Sequence, residues 1–201
     1  CTTARRETSG ANVQPGEFHV QTGTNLDALK TQLTLAHTSG KEIDLEYSYL
    51  PEPMPATLKD RQRAAGYALY GAQGIERRDA KGRREQFAQN YLFFDAPVGV
   101  VVTIDRNMGK GCFMDMGMAV MTFLLAAEDA GLGATGIGAI GIYGAVGHRE
   151  LGLPEDEMIV CGIALGFPGI AAPINQFRTD RAELAEYSNF YGFNTLEEEE
   201  P

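Results

Sequence analysis

Histidine and cysteine are scarce in this sequence, with three of each among 201 residues. His19, His37 and His148 fall into no H-E-x-x-H or other paired-ligand spacing, so no metal site is expected. Cys1, Cys112 and Cys161 lie far apart, no C-x-x-C occurs, and the odd count points to reduced thiols in a cytoplasmic protein. Positive charge is short too: 17 Lys and Arg face 27 Asp and Glu, a formal charge of −10. That balance argues against nucleic acid and against anionic membrane surfaces as partners. Part of the acidic excess is the run Glu197–Glu200, which reads as a solvated tail. There is no signal peptide and no clean run of about 20 apolar residues of the kind a membrane span needs. G-x-S-x-G is missing and no Ser-His-Asp or Cys-His set stands out, which removes side-chain nucleophiles from consideration.

What is present suits one globular domain over residues 1–201, with 44% hydrophobic and 22% charged residues. The chain opens on Cys1, and TTARRE reads as the last turn of a helix, as though an upstream segment were absent. SGANVQP, Ser9 to Pro15, is a turn cluster. Phe18 and Val20 then alternate with polar neighbours as in a half-buried strand. Asn25 is positioned to cap a helix carrying Leu26, Leu29, Leu33 and Leu35 and stopping at Gly40. Prolines 51, 53 and 55 keep the stretch from Tyr47 to Pro55 extended or irregular. Leu58 to Asn90 reads as two or three exposed helices broken near Gly74. Ala96–Asp105 is a strand rich in β-branched residues. Phe113–Ala130 is a helix apolar nearly all round, expected to be buried on every side. Met158–Pro168 reads as a central strand, and RTDRAELAEYSNFYGF as a closing helix with an aromatic tail. Strands separated by helices, with helices in excess, indicate an α+β layer.

GLGATGIGAIGIYG, Gly131 to Gly144, contains G-x-G-x-x-G at Gly131, Gly133 and Gly136. A dinucleotide fingerprint must come after a strand, open a helix and be trailed by an acidic residue about 20 positions on. Here a helix precedes it, glycines crowd the next segment, and Asp156 sits in a proline-containing turn. The Rossmann reading therefore fails. Gly131 and Gly133 read as a helix C-cap and turn. Gly136 and Gly138 lie past that cap, and their lack of side chains would let a flat ligand lie against the backbone.

Several stretches together resemble the FMN-dependent nitroreductase family. SGANVQP resembles its S-x-x-N-x-Q-P motif, and GYALYGAQGIERRD…FFDAPVGVVVTIDR its middle section. The 114–130 helix with GLGATGIGAI resembles its core helix and flavin turn, and HRELGLPEDEMIVCGIALGFP…APINQFRTDR its closing strand and arginine segment. The resemblance implies an α+β fold with a mostly antiparallel sheet flanked by helices. It also implies an intertwined homodimer with FMN at the subunit interface and YSNFYGF as an arm over the partner. By position, Ser9, Gly10 and Asn12 would contact the FMN; taken alone, Asn12 is a turn residue bonding its own backbone. Gln14 would be structural or peripheral. Gly136, Ile137, Gly138 and Ala139 would pass under the ring, with the Gly138 amide facing N5. Arg178 and Arg181 would meet the phosphate, where arginine's planar fork suits the task; a solvated charge pair is the plain alternative.

The activity so implied is hydride transfer from NAD(P)H to the flavin and then, by a ping-pong cycle in one pocket, to a nitroaromatic acceptor. Quinones, activated alkenes, halophenols or free flavin are alternative acceptors, and a non-catalytic flavin-binding protein is a further reading. The pocket walls would come from the partner subunit, from its helices between Leu58 and Asn90. Three departures stand out. The family's opening arginine-serine motif lies before Cys1, Gly16 stands where tryptophan is common, and Thr8 stands where proline is frequent.

Overall fold

β-branched residues run unbroken from Val100 to Ile104 because this strand is covered on both faces. Val100, Val102 and Ile104 point to one core cluster and Val101 to the other, all at most 1% exposed. The computed structural model describes residues 1–192. Within them the strands are β1 (Glu17–Thr22), β2 (Val98–Asp105), β3 (Gly133–Ile137) and β4 (Glu157–Gly166), ordered β1-β2-β4-β3 with every pairing antiparallel. The helices are α1 (Gly23–Thr38), α2 (Ala56–Ala72), α3 (Ala80–Ala88), α4 (Lys110–Asp129), α5 (Gly144–Leu151) and the short α6 (Leu184–Tyr187). Helices α1 and α5 cover one face of the sheet and α4 the other. The α+β expectation holds.

Helix α1 buries Leu26, Leu29, Leu33 and Ala36, a stripe that leaves Leu35 exposed although the sequence placed it with the others. The helix also starts earlier than expected: Thr22 is the N-cap and Asn25 lies inside the first turn. In β1, Phe18 stacks on Phe123 with ring centroids 5.8 Å apart, whereas Val20 is exposed at the sheet edge. The Leu58–Asn90 region forms α2 and α3 with Gly74 at φ +67 between them. TTARRE contains a single 3-10 turn, Ala4–Arg6.

Two larger corrections concern α4 and the glycine-rich segment after it. Met116, Val120, Phe123 and Ala127 pack on the sheet, but Met114, Met118, Met121 and Leu125 are 41–71% exposed. Both sets repeat with steps of four, three and four. They are offset by two residues, about 200° around a helix, so α4 carries two opposite apolar seams. One seam is folded into this chain; the other faces outward. Helix α4 is also long and apolar enough by length and composition to cross a membrane, although Lys110, Asp115, Glu128 and Asp129 keep it from being a clean apolar run. Gly131 at φ +73 ends the helix as expected, with its N–H bonded to the Glu128 carbonyl at 2.9 Å. Gly133, however, opens β3 rather than a turn, and a 3-10 turn at Gly138–Ile142 leads into α5. The closing segment is mostly irregular and keeps only α6 of the expected helix. Tyr187, Phe190 and Tyr191 of its aromatic tail are exposed, while Phe193 and Glu197–Glu200 lie outside the described residues.

Candidate functional site

Small and polar residues in SGANVQP give the chain a tight, strained turn. Ala11, Asn12 and Gln14 all take positive φ, 49, 58 and 52°, a backbone state that costs non-glycine residues about 1 kcal/mol or more and that surrounding structure must hold in place. The Gln14 N–H donates to Ser9 Oγ at 2.9 Å, and the Gln14 side-chain amide donates to the Asn12 carbonyl at 3.3 Å. Gln14 is thus structural, as expected. The Gly10 N–H, expected to serve a ligand, donates to Asp115 of α4 at 3.2 Å. The Asn12 side chain makes no hydrogen bond to any described residue, so it is not the self-bonding turn residue of the plain reading. It faces outward.

Gly16 comes next at φ +92, and a Cβ there would overlap Met116 Cε and lie 2.6 Å from the Thr103 carbonyl oxygen. The position expected for an aromatic anchor is filled by Met116 of α4. Gly16→Ala should therefore destabilise the chain by about 2–4 kcal/mol, from strain at positive φ and overpacking. Thermal unfolding monitored by circular dichroism checks this. A variant whose midpoint matches the parent's would contradict it.

The second group sits across the sheet. Gly136 is exposed, and a Cβ on it would meet nothing within 4 Å, while the Ile137 side chain is buried in the core beside it. Ile137 can therefore offer only backbone to a ligand. Gly138 begins the 3-10 turn, whose first N–H groups have no partner inside it, and a Cβ on Gly138 would come within 3.7 Å of the Tyr49 ring. Ala139 is half-buried. Gly138 and Ala139 border a cavity of about 630 Å³ whose opposite wall is Tyr47, Tyr49 and Leu50. The Tyr47 hydroxyl donates to the Val160 carbonyl at 2.7 Å, and burial pushes its pKa up to about 12, so it stays neutral.

A polar cluster unread in the sequence fixes this wall. Glu46, with a side chain 3% exposed, lies 2.5 Å from Arg106 Nη2 and 2.8 Å from His148 Nε2. Backbone bonds run alongside: the Asp44 N–H to the Ile142 carbonyl, the Glu46 N–H to Gly141, and the Gly144 N–H to Asp44. A Cβ at Gly144 would fall 2.5 Å from Glu46 Oε1. The later glycines of GIGAIGIYG thus admit a buried carboxylate from a segment roughly a hundred residues upstream.

The third group is Arg178 and Arg181. Both are exposed, both donate only to nearby backbone carbonyls and Thr179, and neither has a carboxylate partner among the described residues. Among the described residues neither forms the solvated charge pair of the plain alternative. They border a cavity with Arg61 and Tyr187, whereas Ser9 lines another with Gln14 and Asp115. Three groups that the sequence assigned to one ligand thus line three different cavities of a single chain.

Elsewhere, Glu17, His19 and Glu157 bring three potential ligand atoms within 4.8 Å of one another, a grouping across β1 and β4 that sequence spacing could not reveal. His19 Nε2 lies 2.9 Å from Thr103 Oγ1 and 3.4 Å from Glu157. The three cysteines are free, and burial pushes the Cys161 thiol up to about 11. At mildly alkaline pH Cys161 should resist alkylation in the native chain and react on unfolding, while exposed Cys1 reacts at once. Peptide mass spectrometry after timed iodoacetamide treatment reads this; native labelling of Cys161 as fast as Cys1 would contradict it.

The model of the nitroreductase family matches residues 2–167. This chain belongs to that family. It is 34% identical over 188 residues to a chloronitrobenzene nitroreductase of Comamonas testosteroni, covering 93% of this chain and 83% of that one. It is 32% identical to a 4-nitrobenzoate reductase of Pseudomonas putida, covering 95% and 83%. Among solved structures, the FMN- and NADPH-dependent nitroreductase NfnB of Sphigopyxis sp. strain HMH superposes with a TM-score of 0.92 at 34% identity, covering 94% of this chain and 86% of that chain. The nitroreductase fold expected from the motifs is therefore the fold of this chain. The arginine segment lies beyond the residues matched by the family model.

Proposed function

We propose that this nitroreductase-family chain is an NAD(P)H-dependent flavin oxidoreductase that binds FMN between two copies of itself, in the cytoplasm, and reduces nitroaromatic compounds. The observation that carries the reading is the open backbone face at Gly136, with exposed Gly138 beside it, on a chain of a family whose solved relatives include FMN- and NADPH-dependent enzymes. When bound, FMN supplies two-electron chemistry, taking hydride from NAD(P)H and returning it to the acceptor. In the first cycle a nitro compound, NAD(P)H and a proton give the nitroso compound, NAD(P)⁺ and water.

The residues present fit such a group. Gly136 and Gly138 leave room for a planar ring, and Ile137, Gly138 and Ala139 offer backbone groups beneath it. Arg178 and Arg181 are exposed cations without a carboxylate partner among the described residues, suited to a phosphate. Asn12 has a free side-chain amide, and the Ser9 hydroxyl can still donate while accepting from Gln14. No side-chain nucleophile is required, so the protein's part is to bind, orient and exclude water. Because the three groups line separate cavities within one chain, the opening turn of one copy is assigned to the floor and arginines of the other. The outward seam of α4 is the surface that joins the copies.

Purified protein loaded with FMN should be yellow, bleach anaerobically on NAD(P)H, and recover its colour when nitrobenzene is added. Flavin that binds but is not bleached by either nucleotide would favour a non-catalytic binding protein. Protein that cannot be loaded with FMN would overturn the proposal.

A further inference from the structure

The cavity beside Gly138 contains no charged side chain: its wall is aliphatic, aromatic, glycine and neutral polar residues. Two cations close to the lining residues in the chain or in space are turned elsewhere. Arg61, next to the lining residue Gln62, reaches Glu186 at 2.8 Å, and Arg106 is held by the buried Glu46. The neutral polar groups divide in the same way. Tyr47 donates to the Val160 carbonyl and Ser48 Oγ to the Leu50 carbonyl at 3.0 Å. The Tyr49 hydroxyl and the Gln62 amide have no hydrogen-bond partner among the described residues. Two neutral donors, two aromatic faces from Tyr49 and Phe87, and no cation make up the recognition chemistry.

Resting on the nitroreductase reading above, we infer that the part of this cavity walled by Tyr49, Gln62 and Phe87, beside the flavin floor, is the acceptor site and that it selects uncharged nitroarenes against those bearing a carboxylate. A nitro group is a weak acceptor that Tyr49 and Gln62 can satisfy, and a planar ring fills the slot between Tyr49 and Phe87. A carboxylate entering the same slot loses its water without gaining a cation, and a chain of formal charge −10 repels it on approach. Relatives are named for compounds of both kinds, chloronitrobenzene and 4-nitrobenzoate.

The test compares kcat/KM for nitrobenzene, 4-chloronitrobenzene and 4-nitrobenzoate with the FMN-loaded enzyme. The benzoate should be at least about 50-fold poorer than either neutral compound. Gln62→Arg, on the exposed face of α2, should raise the ratio of benzoate to nitrobenzene activity at least about tenfold. Reduction of all three within about threefold, or a ratio unmoved by Gln62→Arg, overturns the charge selection and leaves the nitroreductase reading intact. If none of the three is reduced by enzyme whose flavin is bleached by NAD(P)H, nitroarene reduction is itself overturned and the selectivity falls with it.

Discussion

Replacing Met121 and Leu125 together by glutamate should give a folded chain that is monomeric, retains no FMN and keeps less than about 1% of nitroarene reductase activity. The two side chains are 51% and 54% exposed and lie on the outer seam of α4 with Met114 and Met118. Four large apolar residues in one stripe are an association surface more than a tolerable exposure. The inner seam still holds α4 to the sheet, so the isolated fold should persist. Flavin is lost because Ser9 of the opening turn, Gly138 of the floor and the Arg178–Arg181 pair line separate cavities and can share a ligand only across two copies. Light scattering after gel filtration, flavin absorbance and far-ultraviolet circular dichroism read the three consequences. Leu35→Glu, equally exposed but on the opposite side of the sheet, should remain dimeric and yellow. A double variant that is monomeric yet still yellow and active would show that the site is complete within one chain.

Glu46→Ala should raise KM for nitroarenes at least about tenfold and lower stability by about 2–3 kcal/mol. Removing one partner of a buried ion pair generally costs about 3–5 kcal/mol. The loss here is smaller because the Arg106 and His148 side chains are 39% and 18% exposed and regain water. The KM effect has a different origin: without Glu46, the segment carrying Tyr47 and Tyr49 loses its anchor and the cavity wall loosens. Gly144 offers an independent check. Gly144→Ala forces a methyl group to within 2.5 Å of Glu46 Oε1, so it should be costly in the parent and far less so beside Glu46→Ala, where space has been made. Additive losses would show that the glycine and the carboxylate do not share that volume. Chemical denaturation of the four chains, with steady-state kinetics on each, supplies the cycle.

These features differ in how readily the sequence discloses them. Leu26, Leu29 and Leu33 announce α1 because their spacing is local and periodic, and the valines of β2 announce a strand covered on both faces. β3 is silent because GATGI has few residues that prefer strands; β4 pairing, not propensity, makes it one. The apolarity of α4 is legible, but composition alone cannot say whether this chain or a second copy covers each seam. The Glu46–Arg106 contact joins residues far apart in the chain and leaves no periodic trace. Its one sign in the sequence is the glycine spacing at Gly141 and Gly144, which by itself suggests a ligand and not a buried carboxylate. The motif residues of the opening turn are legible individually. That Gly10 is already bonded to Asp115, while Asn12 is free, depends on where α4 passes.

The contact between Gly16 and Met116 has a consequence for how this chain can change. The methionine methyl occupies the volume a side chain at position 16 would need, so the two positions form a single exchangeable unit. A large residue can be introduced at 16 only alongside a small one at 116, and only with the Thr103 carbonyl moved aside. Substitutions tried one at a time would each look forbidden, although a route through the pair exists.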